Sequence, residues 1–408
     1  MKKLTAFFLT FCFCAALLCP SAFADALELT VEPGYDYTRF AEDNITLNVY
    51  NWGEYISNGS DDSLNVVKAF EKLTGIRVNY TTFDTNESLY AKLRSGGGNY
   101  DVIIPSDYMI GKMTKEGMLT PLDMNNIPNI KFIGDNYKGR TYDPENKYSV
   151  AYMWGVVGII YNKNMVDEGD LEQGWGLLWD EKYAGNILMF NNSRDAFAIA
   201  GKMMGHSLNP STQREIDAAA EKLKAQKAVI QSYVMDEVFD KMESEEAAVA
   251  PYYAGDGVTM MDENENLAMF IPSEGSNLYV DAMCIPKGSR NKEAAEMFIN
   301  FMCETQVALA NTEFICYSTP HTQVQALLSA EMRDSELMYP PQEILSRCET
   351  FEVLPDEINT AMDAAWSSVR SYDAGGGGWV MPLVLAAMLV MAGFGFWRKF
   401  ARKRRNEY

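Results

Sequence analysis

A polar stretch reaching about Asn44 gives way to an alternation of apolar and polar positions over 45–50, the mark of a strand with one wet face. Ser63 then reads as the N-cap of a helix carrying Leu64, Val67, Phe70 and Leu73, which Gly75 stops. A strand over 77–81, a helix over 87–93 closed by Gly96 to Gly98, and an apolar strand over 101–104 ended by Pro105 complete a β-α-β-α-β run. Such alternation predicts a parallel sheet with helices on its faces and a ligand beyond the carboxyl ends of its strands, where 51–55 and 106–108 sit. A second α/β stretch follows, with strands at 157–161, 186–190 and 247–252, a helix from Asp195 and a polar helix over 215–226. A strand over 278–285, an amphipathic helix over 292–303 and a mostly helical remainder to Tyr372 finish the pattern. Gly96 to Gly98 is a helix stop and not a phosphate loop, because no Gly-Lys-Ser/Thr follows and the run leads into a strand.

The two ends bear on the compartment. Residues 1–24 combine Lys2 and Lys3, an apolar run from Leu4 to Leu18 and the small-residue stop Ala22-Phe23-Ala24, which predicts a secretory signal cleaved before Asp25. Residues 379–397 are apolar and uncharged, and at about 1.5 Å per residue they span roughly 28 Å. Trp379 and Trp397 bracket that run, the glycines of 373–378 precede it, and a basic tail fills 398–408, so a membrane-spanning helix with its tail in the cytoplasm is expected. The folded portion then faces outward.

Composition narrows the chemistry. The net charge of −21 includes the basic leader and tail, so the exported portion is more acidic still; nucleic acid is an implausible partner, and an acidic face raises the local concentration of cations. His206 and His321 are the only histidines, and Cys284, Cys303, Cys316 and Cys348 lack the close spacing of a zinc site, so no cofactor, metal site or histidine-based catalysis is expected. Those four cysteines, after export, could be disulfides or buried thiols.

The local text resembles the spermidine/putrescine substrate-binding proteins of bacterial ABC transporters, over about 47–372. The resemblance rests on Tyr50-Asn51-Trp52-Gly53-Glu54-Tyr55, Leu73-Thr74-Gly75-Ile76, Tyr90-Ala91-Lys92-Leu93, Tyr100-Asp101-Val102-Ile103-Ile104-Pro105-Ser106-Asp107-Tyr108 and Lys115-Glu116-Gly117-Met118. Trp154-Gly155, Asp281-Ala282-Met283-Cys284-Ile285-Pro286 and Tyr317-Ser318-Thr319-Pro320 continue it in the same order. It implies a two-lobed α/β periplasmic-binding fold with hinge strands and an interlobe cleft, no enzymatic activity, and an ABC permease with its ATPase as partners. Lobe 1 would comprise 46–155 and 281–321, and lobe 2 would comprise 156–280 and 322–372, after a linker at 25–45. The chain would cross between lobes near 154–156, near Tyr279 and near His321, and act as a monomer.

A polyamine needs carboxylates for its ammoniums and apolar or aromatic walls for its methylenes. Burying four methylenes contributes on the order of 3 kcal/mol, and an aromatic face adds about 0.5–2 kcal/mol of cation–π attraction. Each buried ammonium costs several kcal/mol to desolvate, so paired carboxylates are required. The resemblance carries Trp52, Glu54, Tyr55, Ser106 and Tyr108 onto first-lobe contacts, with Glu54 accepting from one ammonium. Asp281 falls on the central carboxylate. Tyr253 and Tyr279 stand at aromatic positions, Asp256 matches a carboxylate of the putrescine-selective members, and Tyr317 closes the aromatic set. Gly53 replaces a hydroxyl or acidic neighbour, Asn192 and Asp195 stand where spermidine binders often carry an acidic pair, and Glu352 lies roughly where they have an amide. Losing a carboxylate at Asn192 and gaining one at Asp256 tilts the reading toward the shorter diamine. The alternatives are a two-lobed receptor for a sugar, amino acid or metal chelate, a polyamine-sensing receptor component, and an anchored glycoside hydrolase using paired carboxylates.

Overall fold

The computed structural model describes residues 29–373. The expected signal at 1–24 and the expected helix and tail at 379–408 lie outside them. Among the described residues no helix is long and apolar enough to cross a membrane.

The first three strands, β1 (Thr46–Trp52), β2 (Arg77–Phe83) and β3 (Val102–Ile103), pair in parallel, with β1 between the other two. Helix α1 (Val66–Thr74) is capped by Asn65, whose side chain accepts from Lys68 N, so the cap lies two residues beyond the predicted Ser63. Gly75 ends α1 with φ of 74°, the left-handed conformation that glycine adopts without a Cβ penalty. Helix α2 (Asn86–Arg94) opens on a capping box at Thr85 and Ser88, and α3 (Asp107–Lys115) starts directly after the carboxyl end of β3.

The strand predicted at 157–161 is the second half of a longer β4 (Ser149–Asn162), buried at every residue except Tyr161. Its first half pairs antiparallel with β9 (Leu278–Cys284), and its second half, from Val157, pairs with β7 (Val249–Tyr253) and β8 (Leu267–Phe270). With β5 (Ile187–Phe190) and β6 (Ile230–Val234) the strand order is β2-β1-β3-β9-β4-β7-β5-β6, with β8 beside β4. Pattern reading missed β6 and β8, which are short and end in turns without a clear two-residue period. Helices α4 (Ser193–Met203), α5 (Gln213–Gln226), α6 (Glu237–Glu243) and α7 (Ala254–Glu263) belong to the second half, and α8 (Lys292–Met302) and α9 (Thr305–Ile315) to the first. Helices α10 (Thr322–Leu327), α11 (Ala330–Arg333), α12 (Gln342–Leu345) and α13 (Asp356–Ser371) follow. The result is a mixed α/β two-lobed periplasmic-binding fold.

Two segments sit differently from the sequence expectation. Residues 29–45 are not a free lead-in: the buried Tyr37 donates its hydroxyl to Glu304 Oε1 at 2.6 Å and accepts from Asn300 Nδ2 at 2.8 Å. Val324 and Leu328 of the α10 region bury against Ala308 of α9 in the first half, and the chain rejoins the second half later, where Glu349 bridges Asn277. The four cysteines of the described residues, Cys284, Cys303, Cys316 and Cys348, are free thiols.

Candidate ligand-binding site

A cleft opens beyond the carboxyl ends of β1 and β3, where the strand-order argument expects a ligand, and its space, counting the part open to solvent, is about 690 Å³. Trp52 and Tyr55 come from the end of β1, Ser106 and Tyr108 from the β3–α3 junction, Tyr279 and Asp281 from β9, and Tyr317 from the chain after α9. Asp195 from the first turn of α4, with Tyr253 and Asp256 from the β7–α7 junction, forms the facing wall.

Local hydrogen bonds hold this edge in register. Asn86 accepts from Ser106 N at 3.1 Å and donates to Ser106 Oγ at 3.0 Å, tying the starts of α2 and α3 together. The buried Asp107 accepts from Tyr108 N at 2.7 Å and from Val280 N at 3.3 Å, so the start of α3 is pinned to the strand that carries Asp281. Ala282 N donates to the Pro105 carbonyl at 3.1 Å from the other side of Asp281.

Charge and aromatic surface alternate around the cleft. Asp84, Glu87, Asp195, Asp236, Asp256 and Asp281 line it, and among the lining residues there is no lysine, arginine or histidine. Four of these carboxylates each accept a tyrosine hydroxyl: Asp281 from Tyr55 at 2.7 Å, Asp256 from Tyr317 at 2.9 Å, Glu87 from Tyr108 at 2.9 Å and Asp195 from Tyr253 at 3.1 Å. Asp281, 5% exposed, keeps its second oxygen Oδ1 without a hydrogen-bond partner, as do the Tyr279 hydroxyl and the Trp52 indole nitrogen. The rings of Tyr55 and Tyr317 meet edge to face at 4.7 Å, Tyr279 stands 5.4 Å from Tyr253, and Tyr108 meets Phe351 at 5.5 Å.

Burial raises the carboxyls, and the charge of Arg194 pulls Glu87 and Asp195 back only in part. Asp281 and Asp195 are each pushed up to about 6, chiefly by desolvation, while the Ser106 and Tyr55 hydroxyls beside Asp281 and the Asn192 and Tyr253 side chains beside Asp195 pull them back. Asp256 is pushed up to about 8 by desolvation, against the Tyr317 hydroxyl, with the charges of Asp236, Glu54 and Asp281 raising it further. Glu87 and Asp236 move upward for the same first reason. A cation placed against these groups favours the ionised form of each.

Three glycines make room for these groups. A Cβ at Gly155 would stand 2.5 Å from the Tyr279 hydroxyl, and one at Gly53 would stand 2.5 Å from Asp236 Oδ2, so the side-chain loss at Gly53 noted in the sequence admits a carboxylate from the facing lobe. At Gly255 a Cβ would lie 2.1 Å from Tyr317 Cδ2. Gly255→Ala should therefore displace the Tyr317 ring, break its bond to Asp256, and destabilise the protein by about 1–3 kcal/mol. Thermal melting of the variant checks this; an unchanged midpoint would contradict the packing described.

Trp52, Tyr55, Ser106, Tyr108, Asp195, Tyr253, Asp256, Tyr279, Asp281 and Tyr317 all line the cleft. Glu54 and Glu352 do not. Glu54 has φ of 44°, and this left-handed turn leaves it exposed on a neighbouring outer groove. Glu352 is exposed too; its carbonyl accepts from Arg194 Nη2 at 2.9 Å, and the preceding Phe351 supplies the wall instead. The sequence reading missed Asp84, Glu87 and Asp236 as lining acids. Asp84 and Glu87 stand at a helix start following a strand's carboxyl end, which was a positional signal, but acids there are expected for the helix dipole alone.

A profile of the bacterial extracellular solute-binding proteins matches residues 98–347. The spermidine/putrescine-binding periplasmic protein of Salmonella typhimurium is 33% identical over 310 residues, covering 76% of this chain and 87% of that protein. The putrescine-binding periplasmic protein SpuD of Pseudomonas aeruginosa is 28% identical over 350 residues, covering 81% of this chain and 93% of its own length. Among solved structures, the spermidine/putrescine ABC transporter substrate-binding protein PotD of Streptococcus pneumoniae, in complex with calcium and HEPES, is 35% identical with a TM-score of 0.67. It covers 81% of this chain and 99% of that one.

Proposed function

This chain belongs to the bacterial extracellular solute-binding proteins, a family of binding proteins and not of enzymes, and from that premise we propose that it captures putrescine or spermidine between its lobes for an ABC importer. The observation that carries the reading is the cleft itself, with six carboxylates, tyrosine and tryptophan walls, and no basic side chain on its lining. An amino-acid site would need a cation or helix N-termini for the ligand's carboxylate, and a sugar site would not need this many uncompensated acids. An alkyl chain with an ammonium at each end satisfies both features, because charge-assisted bonds replace water on the ammoniums while the rings cover the methylenes. The sequence's tilt toward the diamine weakens here. Asp84, Glu87 and Asp236 add carboxylates that the comparison of Asn192 with Asp256 did not count, so the site has charge enough for a third amine.

Capture would draw the lobes together about β4 and β9, since a ligand between them touches both only in the closed form, and the closed form is what the permease and its ATPase would engage. The proposed lobes are 46–155 with 281–321 and 156–280 with 322–372, except that 29–45 and the α10 region pack on the first, and the chain acts as a monomer. The exported position and the helix over 379–397 as anchor rest on the sequence. Fractionation of cells producing the full chain, and a chain ending at 378, would test the anchor: release of the full chain with the soluble fraction would refute it.

Isothermal titration with putrescine, spermidine, arginine and maltose tests the ligand class, and small-angle scattering tests closure. Binding confined to the polyamines, with compaction on binding, is expected; binding of arginine or maltose alone would overturn the reading. Because Glu54 and Glu352 are exposed and neither lines the cleft, Glu54→Gln and Glu352→Gln should each change polyamine affinity by less than about twofold, the range of a solvated charge. A loss of tenfold or more from either, in the same titration, would contradict their exclusion from the site.

A further inference from the structure

The first turns of α2 and α4 come from opposite lobes and bring Glu87 and Asp195 to one cleft, together with Tyr108, Tyr253 and Asn192. The two acids are held alike. Each accepts a tyrosine hydroxyl from its own lobe, and each sits in the first turn of a helix, where the aligned peptide dipoles favour an anion. Asn192 also donates to Asp195 Oδ2 at 2.6 Å while its own oxygen accepts from Asp195 N at 2.8 Å, so the second-lobe carboxylate has little freedom to turn away. Glu87 and Asp195 feel each other's charge, and so do the Tyr108 hydroxyl and Asp195.

Arg194 is the cation whose charge reaches this corner, yet it is committed elsewhere. Its Nη2 donates to Asn209 Oδ1 at 2.7 Å and to the Glu352 carbonyl at 2.9 Å, and its guanidinium covers the rings of Phe351 and Tyr108 at 4.5 and 5.2 Å. Asp363 adds a further negative charge within reach of Glu87. Two acids from two lobes thus line one cleft, each with a tyrosine hydroxyl on it and no ion pair to either among the described residues. The unpartnered Oδ1 of the buried Asp281 belongs to the same cleft.

We propose that Glu87 and Asp195 form a cross-lobe carboxylate clamp for one terminal ammonium of the ligand, with Glu87 as the first-lobe acid of the site in the role that the turn at Glu54 vacates. The clamp rests on the polyamine reading of the cleft and adds a conformational consequence to it. Without a cation between them the two carboxylates repel, which opposes closure of the empty lobes; an ammonium turns the same contact into the attraction that holds them shut. Selectivity follows as well, because a ligand lacking the second ammonium leaves the clamp uncompensated.

The test compares the purified full-length chain with Glu87→Gln and Glu87→Lys, using titration calorimetry with putrescine and spermidine and small-angle scattering without ligand. E87Q should bind about 10- to 100-fold more weakly, the range for losing one charged hydrogen-bond partner, and should be more compact than the wild type when empty. E87K brings its own ammonium to Asp195, and should be compact without ligand and insensitive to added polyamine. Wild-type affinity in E87Q overturns the clamp while leaving the polyamine reading standing. If the wild type itself binds no polyamine, that reading falls, and E87K that stays as extended as the empty wild type removes the clamp too. Should E87Q fail to fold, Glu87→Asp, which keeps the charge but withdraws it by one methylene, decides: weakened binding supports the clamp and unchanged binding refutes it.

Discussion

Asp281→Asn should weaken polyamine binding by about 10²- to 10³-fold while leaving the ligand-free protein at least as stable as the wild type. The affinity loss follows because removing one partner of a desolvated charge pair leaves the other charge buried, at a cost of about 3–4 kcal/mol. Stability moves the other way for a separate reason. Burial pushes the Asp281 carboxyl up to about 6, so near neutral pH the folded empty protein keeps a buried anion that water would solvate better in the unfolded chain. An amide of the same shape can still accept the Tyr55 hydroxyl and carries no charge to desolvate. Titration calorimetry and thermal melting on one preparation measure both. Unchanged affinity would remove Asp281 from the site, and a large fall in melting temperature would make its role structural.

Polyamine affinity should rise between pH 5 and pH 8, by about 100-fold overall, with protons released on binding. The sign comes from the direction of the shifts. Asp281 and Asp195 are raised to about 6 and Asp256 to about 8, with Glu87 and Asp236 moved upward. A cation favours the ionised form of each, so binding must drive off whatever protons they hold, while alkylammonium groups, near the lysine value of about 10.4, stay charged throughout. Asp107, raised to about 7 behind the cleft, belongs to the same set through its coupling to Asp281. The empty protein shows the converse. A raised carboxyl contributes stability that is fully present below about 4 and is lost as pH climbs through 6 to 8, so these groups make the ligand-free fold more stable at pH 5 than at pH 8. Calorimetry in two buffers of different ionisation enthalpy counts the protons. Proton uptake, or an affinity flat across this range, would contradict the uncompensated acidic cleft.

Much of this was legible along the chain. Alternation at β1, the left-handed stop at Gly75, and Pro105 closing β3 located the sheet edge that carries Trp52, Tyr55, Ser106 and Tyr108, because each is decided by local backbone preference. Asp281 was legible through its flanking text, and Asp195 and Asp256 through position in the resemblance. Glu54 was misplaced by that same text: it sits at the expected position, but its φ of 44° turns it out of the cleft. Asp236 carried no local mark at all. Its place beside Gly53, nearly two hundred positions earlier in the chain, exists only in the folded protein, where a missing Cβ leaves the space.

Taken alone, the amino-acid sequence determined the α/β alternation, the family text, the acidic surplus and the amphiphilic ends, since periodicity, caps, composition and hydropathy act over a few residues to a few turns. Only the tertiary structure decided which acids share one cleft, that each of four is held by a tyrosine, and that no basic side chain joins them there. The reason is physical. A carboxylate's pKa and binding strength depend on the charges and water around it in space, and at this cleft those neighbours lie on elements separated along the chain by most of its length.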